Sequence, residues 1–171
     1  MAPTGHIGIG LAMRVFRIRL PLLAFIILPC LPDILYGILS FAGIESFQSS
    51  PWSHSLAGAL VLPAMAGGIG FLILQKTSLF PTRGALLISG LVLSHWCADF
   101  IVWSNLTLWP GLSSQFGLGL YDLMGFSVSG AGLNLPSFMA TGIELLLLLI
   151  GIVLYRRQRN RSVKKSVKKN S

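Results

Sequence analysis

Apolar residues along this chain run in long stretches rather than alternating with polar ones, and three stretches have the length of a membrane span. The yardstick is about 20 mostly apolar residues for a hydrocarbon core of about 30 Å. Leu56 to Leu74 is rich in Gly and Ala, which suits close helix packing in lipid. Gly84 to Trp103 carries His95 and Asp99. Pro136 to Tyr155 is the most apolar, unbroken from Leu145 to Leu154, with one acid, Glu144. A fourth stretch, Leu20 to Ile44, comes first in the chain and is interrupted by Pro29, Pro32 and Asp33. Ahead of it, His6 to Arg19 predicts a shorter helix that turns back near Leu20 and Pro21. A basic region followed by apolar residues also fits a signal peptide, but no small-residue cleavage site follows, and Pro32-Asp33-Ile34 leads into more apolar sequence. The predicted fold is therefore all-α and embedded in a membrane. It has four transmembrane helices plus a short N-terminal helix forming a hairpin with the first span. Residues 1–155 make one helical domain, and 156–171 a basic tail expected to be disordered.

Composition narrows the class. Of the 171 residues 53% are hydrophobic and only 11% charged, against about a quarter charged in soluble chains. A cytosolic enzyme, a disordered protein and a coiled coil are excluded on that ground. The net charge of +8 would suggest nucleic acid if it covered a soluble surface. Here 8 of the 13 basic residues fall between Arg156 and Lys169, directly after the last span. That placement points to membrane orientation and to anionic lipid, at about 1 kcal/mol per basic residue near the surface; no nucleic acid partner is expected. Basic residues in short loops mark the cytoplasmic side. Arg14, Arg17 and Arg19, the connection from Lys76 to Arg83, and the tail all satisfy that rule if four spans alternate and the C-terminus is cytoplasmic. The outer connections, Glu45 to Ser53 and Ser104 to Leu135, contain no Lys or Arg. The second is long enough to be a lid or a partly re-entrant segment. Cys30 and Cys97 sit in apolar runs and suggest neither a disulfide framework nor a metal knuckle. The glycine pairs Gly8/Gly10 and Gly117/Gly119 lack the setting of a dinucleotide site and read as packing glycines.

The chemistry lies in polar residues placed against apolar segments: His6, Asp33, His54, His95 and Asp99. An aspartate at mid-membrane costs about 2.5–3.5 kcal/mol, so Asp33 and Asp99 demand a compensating cation. The arginines cluster at the opposite end, which leaves the histidines or a metal. His95 and Asp99, four apart, share one helix face. A turn near Leu20 places His6 and Asp33 at matching depth, each about 20 Å from the turn at the helical rise. His54 opens the second span from outside. Two carboxylates neutralise one divalent ion, and neutral imidazoles complete its shell. Such a set suits zinc, with manganese or iron as alternatives, better than magnesium or calcium. His6, His95 and Asp99 are the first candidates for ligands; Asp33 and His54 are further ligands or acid–base groups. Glu144, Ser55 and Asn105 are candidates for the shell around them. A structural His–Asp network, or a proton or ion pathway, would use the same residues.

The ordered motifs Thr4-Gly5-His6, Leu31-Pro32-Asp33-Ile34, Pro51-Trp52-Ser53-His54-Ser55-Leu56, Leu93-Ser94-His95-Trp96-Cys97-Ala98-Asp99-Phe100 and Gly117-Leu118-Gly119-Leu120-Tyr121 cover nearly the whole chain before the tail. In them the chain resembles the YdjM-like membrane-bound metal-dependent hydrolases of bacteria, a family thought to be distantly similar to zinc-dependent phospholipase C and related nucleases. The resemblance implies a multi-pass protein of the bacterial cytoplasmic membrane that hydrolyses phosphoesters. The expected function is metal-dependent hydrolysis of a lipid or other membrane-associated ester or phosphoester, at a site in the outer half of the bilayer. A small transporter using the same residues as an ion or proton relay, or a catalytically silent scaffold, are the alternatives.

Overall fold

The computed structural model describes residues 3–18, 20–45, 51–76, 80–110, 115–125 and 135–170. Among these residues, four helical segments are long and apolar enough to cross a membrane: Leu22–Phe41, Leu56–Leu74, Pro81–Val102 and Phe138–Arg161. The chain is an all-α, multi-pass membrane protein. Its surface is inverted relative to a soluble bundle. Leu60, Met65, Ile69 and Leu72 face outward on the second span, while Gly67 and Gly70 of the same helix are buried.

Helix α1, Pro3–Ala12, ends in a 3-10 turn, Met13–Phe16, closed by Arg17 in the left-handed conformation. The first span follows as α2, Leu22–Ile27, a 3-10 turn at Leu28–Cys30, and α3, Leu31–Phe41. Pro29 and Pro32 explain the break, because proline has no N–H to continue the hydrogen-bond ladder. The second span, α4, is Leu56–Leu74, and its first turn is capped by Ser55, whose Oγ accepts from the Gly58 N–H at 3.2 Å. The third, α5, Pro81–Val102, packs antiparallel on α4. A side chain at Gly67 would collide with Ser89, and Ser89 donates to the Pro63 carbonyl at 2.8 Å.

The connection after α5 folds into a small hairpin, β1 (Leu106–Thr107) paired antiparallel with β2 (Gln115–Phe116), and a one-turn helix α6, Leu120–Leu123. Backbone hydrogen bonds from Ala57 to Leu108 and from Leu118 to Phe100 seat it against the start of α4 and the end of α5. The last helix, α7, runs from Leu135 to Asn170. It continues the final span into the basic segment, so the tail expected to be disordered is helical: nothing breaks the ladder between Tyr155 and Asn170, which contains neither Pro nor Gly.

The N-terminal helix packs on the first span, as expected, and on the last span as well. It contacts the first span where Gly10 lies against the Phe25 carbonyl and Pro29. Its more extensive packing is along α7, running parallel to it. Thr4 meets Glu144, Gly8 meets Leu147 and Gly151, and the 3-10 turn brings Arg14 to Tyr155. A Cβ at Gly8 would overlap the Leu147 backbone, and one at Gly151 would overlap Gly8, so only glycine lets the two backbones touch. At the basic end, the Arg14 guanidinium lies 5.6 Å from the ring centres of both Phe25 and Tyr155 and donates to the Leu20 carbonyl. Leu11, Leu20, Phe25, Leu87 and Leu91 form the apolar core there. The opposite end holds the polar cluster.

Candidate metal centre

Local structure accounts for the placement of each candidate. His6 lies mid-way along α1, whose glycines bring it deep into the bundle. Asp33 stands in the first turn of α3, where the helix dipole favours an acid. His54 ends the 3-10 turn Trp52–His54 just ahead of α4. His95 and Asp99 are one turn apart on α5. These four segments bring all five side chains together.

Asp99 is the hub. Its Oδ1 lies 3.4 Å from His6 Nε2, and its Oδ2 lies 3.3 Å from His95 Nε2 and 3.9 Å from His54 Nε2. Asp33 Oδ1 is 3.1 Å from His54 Nε2 and 3.6 Å from His95 Nε2. The two Nε2 atoms of His54 and His95 are themselves 3.3 Å apart. The His6 and His95 rings stack with centres 3.8 Å apart. Exposure divides the set: the side chains of His6, His95 and Asp99 are 0%, 1% and 4% exposed, whereas His54 and Asp33 are 19% and 30% exposed. A ligand arriving from outside therefore meets His54 and Asp33 first.

Ring-nitrogen roles follow from partners. His95 Nδ1 lies 2.8 Å from the Pro29 carbonyl, which can only accept, so Nδ1 carries the hydrogen. In the neutral ring the bare Nε2 lone pair then faces two carboxylate oxygens and a second imidazole nitrogen. Either a proton or a cation placed between these acceptors would satisfy them. His6 adds a buried imidazole that is only 1% exposed: its Nε2 faces Asp99 Oδ1 at 3.4 Å, and its Nδ1 has no hydrogen-bond partner among the described residues. Two overlapping groups, His6/Asp33/His95 and His54/His95/Asp99, have ligand atoms within 4.8 Å of one another. Nitrogen and carboxylate donors of this kind fit zinc, manganese or iron.

The residues expected in the surrounding shell make contacts of their own. Ser55 spends its hydroxyl on the Trp52 carbonyl, at 2.8 Å, and on the α4 cap. Asn105 is exposed. Glu144 is buried and bridges elements, accepting from Thr4 Oγ1 and from the Tyr121 hydroxyl at 2.9 Å each. It thereby ties α7 to α1 and α6. Burial, and then the Glu144 carboxylate, raise the Tyr121 pKa above its ordinary value. Glu45 has a part that sequence reasoning missed. It accepts from the backbone N–H of Ser53 at 3.2 Å and from its hydroxyl at 3.1 Å, and Ser53 Oγ lies 3.0 Å from His54 Nδ1. Its only signal in the sequence is an acid in a connection, Glu45 to Ser53, otherwise without charge.

No protein-family model matches the chain, and neither a curated protein nor a solved structure matches it.

Proposed function

We propose that the cluster is a divalent metal centre, zinc first with manganese or iron as alternatives, and that the protein is a metal-dependent hydrolase of the membrane. The observation that carries this reading is His95, whose Nδ1 hydrogen is committed to Pro29 while its Nε2 faces Asp33, Asp99 and His54. A hydrogen bond on the far nitrogen of this sort is what orients metal-ligating histidines. His6, His95 and Asp99, sealed from solvent, would hold the ion, and His54 would complete the set from the open side. When bound, the ion supplies Lewis acidity that polarises a substrate oxygen and acidifies a water. Asp33, the most exposed of the five, accepts the proton.

The substrate class is a lipid or other membrane-associated ester or phosphoester, because the open side lies at the end of spans whose outer faces are apolar. The five-motif resemblance to YdjM-like hydrolases supports the same reading and a bacterial inner-membrane location. The tail would then lie on the cytoplasmic side, with its basic residues against anionic lipid. Metal analysis by mass spectrometry tests the centre. Detergent-purified protein is expected to hold metal that His95→Ala loses, and the loaded protein is expected to hydrolyse ester or phosphodiester lipids in mixed micelles. Metal-free wild-type protein of unchanged thermal stability would end the reading. Ion flux in liposomes without hydrolysis would replace it with a relay.

A further inference from the structure

Resting on the metal centre proposed above, we infer that Glu45 and Ser53 are positioning residues for His54: they hold its hydrogen on Nδ1 and leave Nε2 bare toward the cluster. A carboxylate only accepts, so both contacts from Ser53 to Glu45, N–H at 3.2 Å and Oγ–H at 3.1 Å, are donated by the serine. With its one hydrogen committed, Ser53 Oγ can only accept at its 3.0 Å contact with His54 Nδ1. The neutral His54 ring therefore carries hydrogen on Nδ1. Its Nε2 lone pair points to Asp33 Oδ1 and His95 Nε2. Ser53 is 2% exposed, which keeps water from competing for its hydroxyl.

The remaining contacts hold this chain of groups in place. Backbone N–H groups of Ile44 and Glu45 both donate to the Leu39 carbonyl, tying Glu45 to the end of the helix that carries Asp33. Tyr36 from that helix packs edge-on against the His54 ring, 5.6 Å between centres. One histidine of the centre is thus oriented by a backbone carbonyl and another by a carboxylate acting through a hydroxyl. Both present Nε2.

The test compares Glu45→Gln, Glu45→Ala and Ser53→Ala by Zn²⁺ titration against a chromophoric chelator in detergent, with cobalt absorption as the spectroscopic readout. Glu45→Gln keeps the shape. Its carbonyl takes the Ser53 N–H, its amide NH₂ then faces Ser53 Oγ, and the serine hydroxyl turns to donate to His54 Nδ1. That moves the ring hydrogen onto Nε2, and affinity falls about 10- to 100-fold, the usual cost of losing an outer partner. Glu45→Ala leaves the serine free to go on accepting, so its loss is the smaller one. A packing role predicts the reverse order, with Gln tolerated and Ala damaging. Cobalt spectra of Glu45→Gln should show one nitrogen ligand fewer, and Ser53→Ala should weaken binding even where a Glu45 variant does not fold. Wild-type affinity in Glu45→Gln, or a greater loss in Glu45→Ala, overturns the inference while His95→Ala still shows the metal centre to be real. Wild-type protein that binds no metal overturns both.

Discussion

Asp99→Asn separates a metal centre from a network of buried side chains that merely hold the helices together. The substitution preserves shape and removes one charge from the group that touches all three histidines, at 3.3 to 3.9 Å. If the cluster is only a packing device, losing the carboxylate lowers stability by the same amount with and without metal, and metal in the buffer has no effect. If it holds an ion, the wild type gains linkage energy that the variant lacks. At free metal about 1,000 times Kd the gain is about 4 kcal/mol, and a chain of this size shifts by about 2–4 °C per kcal/mol, so Tm rises by about 8–16 °C. The assay is thermal unfolding in detergent with EDTA and with Zn²⁺. Wild type should show the full difference between the two buffers, and Asp99→Asn little or none. Equal melting of wild type with and without metal, at metal concentrations covering the micromolar range, refutes the reasoning.

Two further outcomes follow from the packing around the cluster. Gly8→Val should drive α1 from α7 by overlap with the Leu147 backbone, costing about 1–3 kcal/mol and weakening metal binding through His6. Gly142→Val on the same α7, where an added Cβ meets nothing within 4 Å, should do neither, and equal behaviour of the two in unfolding and metal titration would refute the contact. Tyr121 should stay protonated above the ordinary tyrosine range of about 10, because burial and the Glu144 carboxylate oppose its ionisation. A raised folded-state pKa favours the protonated native form, so this contribution to stability is present below about pH 10 and is lost as pH climbs through the raised value. Ultraviolet titration should lose a late tyrosine step on Tyr121→Phe; a titration curve whose late part is the same in the variant would contradict it.

Much of the architecture is written in one-dimensional pattern. A span needs only length and apolarity, which is why Leu56–Leu74 has the same bounds as read from sequence and as found in the structure. The interruption at Pro29 and Pro32 is equally local, since each proline removes a donor wherever it sits. His95 and Asp99 share a face because the helical repeat puts them there. Matching depths for His6 and Asp33 followed from counting residues away from a turn. The structure brings these residues to one place with His54. Sequence reading failed where partners are chosen across the bundle. Nothing along the chain says that Gly8 and Gly151 touch, and that contact is what makes α7 the chief neighbour of α1. Nothing says that Glu144 meets Thr4 and Tyr121, or that α7 carries its helix through the basic segment. The same holds for the orienting groups. The Pro29 carbonyl and the Glu45 carboxylate have no periodicity to betray them, because hydrogen-bond direction depends on which acceptor lies within about 3 Å, and only packing in three dimensions decides that.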